Sequence, residues 1–140
     1  VYTCCTETFP NIFTFSDPAE AAWTPIHAVA GGYDGFLRWS INSWTADPLR
    51  DSRFRTWAAG DTYSIYPGPR SSIRFERLME GLQDCAKIQV LREELTAKGA
   101  KGKLAKLDKV LAKFTPEGVK NSKQTTAEMV RELNALLNSL

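Results

Sequence analysis

In Gly35-Phe36-Leu37-Arg38-Trp39-Ser40-Ile41-Asn42-Ser43-Trp44, side chains alternate along the chain in a way that decides the fold. Phe36, Arg38, Ser40 and Asn42 fall on one face, and Leu37, Trp39 and Ile41 on the other. That period of two reads as a β-strand. Arg38 is a charge inside an apolar strand, and if buried it requires a partner. A structural salt bridge is the favoured reading, with an acid outside this chain as one source.

Upstream, Asp17-Pro18-Ala19-Glu20 places an N-cap, a proline at the first helical position and a glutamate at the third. The helix it opens runs toward Gly31-Gly32, and Pro25 should bend it. Before it lie a β-branched run, Val1 to Thr6, read as a strand, and a loop from Glu7 to Ser16. Downstream, a polar loop with Asp47-Pro48 leads to Asp61–Tyr66 (DTYSIY), read as a third strand that Pro67-Gly68-Pro69 stops. Strands alternating with helices suggest βαβ units in a parallel sheet.

From Ser71 the period becomes helical. Phe75, Leu78, Met79 and Leu82 form a stripe in a helix expected to persist to about Ala97. Gly99 and Gly102 break the chain. Leu104, Leu107, Val110, Leu111 and Phe114 mark a second helix, ended by Thr115-Pro116. Thr125 and Glu128 form a capping box for a third, with Val130, Leu133, Leu137 and Leu140 on one face.

Composition divides the chain at the same place. All four tryptophans and all four tyrosines precede residue 70, and every lysine follows it, beginning at Lys87. Aromatic residues suit half-buried strands and carbohydrate-facing surfaces, and Lys with Leu and Ala suits surface helices. Any site is therefore expected in the first half. At 140 residues and 43% apolar content, the chain has the size and composition of one globular domain. A net charge of +2 gives no footing for nucleic acid, and the lysine run from Lys98 to Lys113 carries no stacking aromatics. No apolar run approaches the ~20 residues of a membrane span. Val1–Thr8 lacks the basic and apolar regions of a signal peptide and begins within a strand, so a cut or processed chain is expected. Cys4, Cys5 and Cys85, odd in number and without a CxxC spacing, read as small packing residues and leave the compartment undecided.

Several spaced stretches agree in order with one family. They are Tyr33-Asp34-Gly35-Phe36-Leu37-Arg38-Trp39, Asn42-Ser43-Trp44 and Asp47-Pro48-Leu49-Arg50-Asp51-Ser52-Arg53-Phe54. Gly60-Asp61-Thr62-Tyr63, Tyr66-Pro67-Gly68 and Arg70 to Leu78 continue the series, and Tyr2-Thr3-Cys4-Cys5 and Asn11 to Glu20 also fit. Over roughly residues 2–95 the chain resembles the C-terminal barrel region of glycoside hydrolase family 123 and related bacterial proteins. The resemblance implies an α/β fold: a C-terminal fragment of a (β/α)8-type barrel, about three strands, followed by three helices. Residues 1–97 would be the barrel part and 98–140 a helical extension.

The resemblance further implies a β-N-acetylgalactosaminidase-like hydrolase using substrate-assisted, retaining catalysis. In it the substrate's acetamido oxygen attacks the anomeric carbon while an adjacent Asp-Glu pair orients it and does acid/base work, outside the usual two-carboxylate scheme. This chain contains no Asp-Glu dipeptide. The catalytic pair would lie upstream, on polypeptide that an entire barrel of ~250 residues requires. The chain alone is expected to be inactive and to need no cofactor or metal. Its expected partners are an N-acetylhexosaminide and the upstream part of its parent. That parent could be exported or periplasmic in a bacterium.

Barrel active sites form at the C-terminal ends of the strands. That rule selects Trp39, Asn42 and Trp44, and Tyr66 at the end of the next strand, with Tyr2 on the first strand within reach of an acetamido group. Aromatic rings stack on the C–H faces of a pyranose, and an asparagine amide offers both a donor and an acceptor. Against this stand core packing for Tyr2, Trp39 and Trp44 and strand capping for Asn42. For Trp39 and Tyr2 packing is the stronger reading. Asp47, Arg50, Asp51 and Arg53 read as a charge network within the loop, Pro67 to Ser72 as a turn and helix cap, and His27 as a packing or surface residue. A non-catalytic carbohydrate-binding or structural barrel remnant is the alternative function. Cutting a barrel uncovers strand edges, which the C-terminal helices or a homo-oligomer are expected to hide.

Overall fold

The computed structural model describes residues 1–51, 53, 57–68 and 70–140. Its elements are β1 (Tyr2–Thr3), α1 (Ala19–Ala30), β2 (Leu37–Arg38), α2 (Ile73–Ala97), α3 (Lys101–Leu111), α4 (Pro116–Asn121) and α5 (Thr126–Leu137). β1 and β2 pair in parallel, Tyr2 opposite Leu37 and Thr3 opposite Arg38, so β1, α1 and β2 form the expected crossover unit. The fold is mixed α/β.

Local chemistry explains where the helices begin. Asp17 Oδ1 accepts the Ala19 N–H at 2.9 Å, and Glu20 Oε1 accepts the Asp17 N–H at 3.1 Å. These two bonds satisfy backbone N–H groups at the start of α1, which follows directly on Pro18. Ser72 Oγ accepts the Phe75 N–H to open α2, and Gly99, at φ +63°, lets the chain turn out of it. Thr125 and Glu128 cap α5 reciprocally.

α1 is the central helix. Trp23 and Ile26 are fully buried, and they share one core with Cys85 and Ile88 of α2, Leu107 and Leu111 of α3, Phe114, and Met129, Val130, Leu133 and Leu137 of α5. Each large apolar side chain sealed in this way contributes roughly 1.5–3 kcal/mol of transfer free energy. His27, stacked on Trp23 with ring centroids 4.9 Å apart, meets the Phe114 carbonyl through Nδ1 at 2.6 Å, which gives it the packing role expected of it.

The sheet is smaller than the alternation implies. Val1 to Thr6 contributes two strand residues, and Gly35–Trp44 contributes Leu37–Arg38 plus an isolated antiparallel bridge from Asn42 to Tyr63. The Asp61–Tyr66 segment is not a strand. It is a series of turns held by the bridges at Tyr63 and Tyr66, because Gly60 at φ +86° reverses the chain just before it. Thr115-Pro116 does not simply end a helix. Thr115 Oγ1 accepts the Gly118 N–H at 2.9 Å and starts the short α4, since proline suits the first helical position. Gly102 lies within α3, and only Gly99 breaks the chain.

The C-terminal helices cover only part of the surface. α3 and α5 pack against α1 and α2, whereas Leu37, Ile41, Leu82 and Val90 stay exposed. Among the described residues no helix is long and apolar enough to cross a membrane.

Candidate functional site

The site region is built by two segments that return to each other. The Ser43 N–H donates to the Thr62 carbonyl and the Ser64 N–H to the Ile41 carbonyl, both at 2.8 Å. Ser40 Oγ donates to the Thr62 carbonyl at 2.7 Å. Residues 39–44 thus lie along 61–66, and four of the five candidates sit on this double strip.

At its head is a buried polar cluster. Arg38 and Asp61 form an ion pair between Nη2 and Oδ1, with both side chains almost wholly removed from solvent. Arg38 Nη2 also donates to the Asp61 carbonyl at 2.7 Å. Its Nη1 donates to Asn11 Oδ1 at 2.8 Å and to Thr3 Oγ1 at 3.2 Å. Asn11 passes the network on through Nδ2 to the Cys4 carbonyl at 2.7 Å, and its backbone N–H donates to Glu20 Oε2 at 2.9 Å. Burial lowers the proton affinity of the Arg38 guanidinium and the Asp61 charge opposes that shift. Burial raises the Glu20 pKa, against the bonds from the Asn11 and Asp17 N–H groups. The salt bridge expected of Arg38 exists, and its acid is Asp61 of this chain rather than one from outside it.

Trp39 departs from the face assigned to it. β2 ends at Arg38, so the chain bends and Trp39 does not follow Leu37 and Ile41 outward. Its Nε1 instead donates to Asp61 Oδ2 at 3.2 Å, and its ring meets Trp57 edge-on with centroids 5.5 Å apart. Asn42 is exposed beside its bridge to Tyr63. Trp44 is 37% exposed, and its Nε1 donates to the Ile65 carbonyl at 2.7 Å. Tyr66 is half-buried, edge-on to buried Tyr63 at 5.2 Å, with its hydroxyl 3.5 Å from Arg74 Nη2. Tyr2 is apart from the strip, 56% exposed on β1 rather than packed in the core.

Sequence reading missed Asp61, Asn11 and Trp57 as members of this region. The available signal was an acid flanked by Gly60 and an aromatic-rich run, a position where burial would demand donors. Among the other residues weighed, Arg53 pairs with Asp51 at 2.8 Å and Arg50 with Asp47 at 3.7 Å on the exposed loop, as the charge-network reading requires. Ser72 caps α2 as expected, whereas Ser52, Phe54 and Pro69 of the quoted motifs lie outside the described residues. A separate groove of about 420 Å³ lies between α1, α2 and residues 33–41. It is walled by Pro25, Val29, Tyr33, Ile41, Leu78 and Leu82, and contains none of the five candidates.

The site region is thus a parallel β–α–β unit followed by a strip that carries aromatic side chains beyond the C-terminal end of its second strand. Residues 1–91 match the model of the glycoside hydrolase 123 catalytic domain, and the chain belongs to that family. In three dimensions it is similar to a family 123 glycoside hydrolase from Clostridium perfringens, whose structural description concerns glycolipid glycan hydrolysis. The TM-score is 0.75 at 28% sequence identity, with 98% of this chain and 26% of that one covered. The chain therefore spans about a quarter of the length of that solved relative. No curated protein matches it.

Proposed function

We propose that this chain is the C-terminal barrel portion of a family 123 hydrolase acting on N-acetylhexosaminides, of the β-N-acetylgalactosaminidase type. It supplies sugar contacts, and the catalytic Asp-Glu pair belongs to polypeptide upstream. The observation that carries this reading is the strip on which Trp39, Asn42, Trp44 and Tyr66 lie, starting at the residue after β2. An open aromatic surface beside an exposed amide suits a pyranose, whose C–H faces stack while its polar edges hydrogen-bond. Trp44 is 37% exposed and its Nε1 is held by a main-chain carbonyl, which supports a stacking role for its ring. Tyr2, exposed on β1 and apart from the strip, is the outlying candidate for contact with an acetamido group.

The test is substitution of Asn42→Ala and Trp44→Ala in the full-length parent, assayed on a chromogenic N-acetylgalactosaminide. Each is expected to lower kcat/KM more than about tenfold with the fold intact, as loss of an orienting contact does. Full activity in both variants removes these residues from the site.

A further inference from the structure

We propose that Asp61 is a positioning residue that fixes the plane of the Trp39 indole for stacking on sugar. This rests on the reading of the strip as a sugar surface and adds a residue to it. Asp61 is fully buried, so its carboxylate is not itself a ligand contact. Its two oxygens are divided between neighbouring residues of one segment: Oδ1 takes Arg38 Nη2, and Oδ2 takes Trp39 Nε1 at 3.2 Å. Arg38 is tied in turn to Thr3 on β1 and to Asn11 in the loop before α1. The carboxylate is therefore held by the sheet and cannot follow the indole if the ring swings.

Trp39 is the half-buried member of this arrangement. One edge of its ring is pinned at Nε1, and Trp57 packs against it edge-on. With both constraints the indole has one orientation available before any ligand arrives. A pre-oriented ring loses less freedom on binding than one that must be immobilised by the sugar. The use of Asp61 is then twofold: it neutralises the buried arginine and it sets the aromatic platform. Only the second use affects ligand binding directly.

Asp61→Asn separates the two uses. Asparagine keeps the size of the side chain but has one acceptor oxygen, and its amide nitrogen can only donate. Arg38 keeps the residue-61 carbonyl, Asn11 and Thr3 as acceptors, so the indole N–H loses its partner when the remaining oxygen faces the guanidinium. The experiment uses the 140-residue chain with isotope-labelled tryptophan indoles, titrated with N-acetylgalactosamine and followed by NMR. In Asp61→Asn the Trp39 indole N–H signal should shift while that of Trp44, bonded to the Ile65 carbonyl, stays in place. N-acetylgalactosamine should bind more weakly, by up to about tenfold, the scale of having to immobilise one more side chain. In a Trp39→Phe background, which has no N–H to hold, Asp61→Asn should cause no further loss.

An unmoved Trp39 signal, or unchanged affinity in Asp61→Asn, overturns the assignment of Asp61. So does an equal further loss in the Trp39→Phe background, which would mark a purely structural effect. If Asp61→Asn does not fold, Trp39→Phe alone leaves the Arg38–Asp61 pair in place, and undiminished sugar binding by that variant overturns the proposal. Absence of any sugar-induced change, in the unsubstituted chain and in the full-length parent alike, instead removes the sugar site itself, and the Trp39 shift in Asp61→Asn would still show which of the two ideas had failed.

Discussion

Gly81 of α2 crosses α1 at Ala22 with no room for a side chain: a methyl group on Gly81 would lie 2.8 Å from the Ala22 Cα and 2.8 Å from Pro25 Cγ. It would also collide with the Ala22 carbonyl oxygen. Glycine inside a helix ordinarily costs up to ~1 kcal/mol relative to alanine. Gly81→Ala should therefore stabilise an isolated helix and destabilise this protein, because the close α1–α2 crossing must open. A net loss of about 1–3 kcal/mol is expected, read from urea unfolding. A gain in stability would show that the two helices do not approach as closely as described.

Arg38→Met should destabilise the chain by roughly 3–5 kcal/mol, because it leaves the Asp61 carboxylate buried without its counter-charge. The double variant Arg38→Met, Asp61→Asn should recover part of that loss, since no unpaired charge remains. Additive losses in the double variant would contradict a direct pairing of the two residues.

The link between α5 and the turn that follows α3 should weaken in acid. Lys113 Nζ lies 2.7 and 2.8 Å from the two Glu132 carboxylate oxygens, and Gln124 Nε2 donates to one of them at 2.8 Å. These bonds hold the Glu132 pKa below its ordinary value. A carboxylate with a lowered folded-state pKa contributes stability above its unfolded value and loses it as pH falls through the folded one. Glu20 acts in the opposite sense: burial raises its pKa, so its contribution declines as pH rises from the unfolded value through the folded one. Glu132→Gln should flatten the acid side of the stability profile below about pH 5, by ~0.5 kcal/mol for so exposed a pair. An acid limb as steep in Glu132→Gln as in the parent chain would exclude this pair as its source.

The three thiols should differ in reactivity. Burial pushes the Cys85 thiol up to about 12. Hydrogen bonding to Thr6 lowers the Cys4 pKa, while burial raises that of Cys5. With an aromatic disulfide reagent near pH ~8, Cys4 should react first and Cys85 only on unfolding, because the thiolate is the nucleophile. Equal rates at all three cysteines would show that the α1–α2 core does not shield Cys85.

Much of the local architecture was legible in the residues themselves. The helix start at Asp17–Glu20, the Thr125–Glu128 capping box and the Gly99 break were each readable, because every one is completed within four residues along the chain. The same applies to the family-specific stretches, whose order survives whatever they pack against. Alternation in Gly35–Trp44 signalled a strand but overstated its length, since a period of two persists after ladder pairing stops.

Tertiary structure decided which side chains meet. That Asp61 would answer Arg38, and that Trp39 would turn back to the same carboxylate, depends on a return of the chain across more than 20 residues. Neighbouring positions at the end of a strand carry no instruction about what returns to face them. Helix caps and turns are set by bonds within a few residues of one another, and the sequence can display them. The buried cluster that orders the candidate site exists only because the β1–β2 pairing and the backbone bond from Thr14 to Ala59 bring β1, the loop before α1 and residues 58–66 to one place.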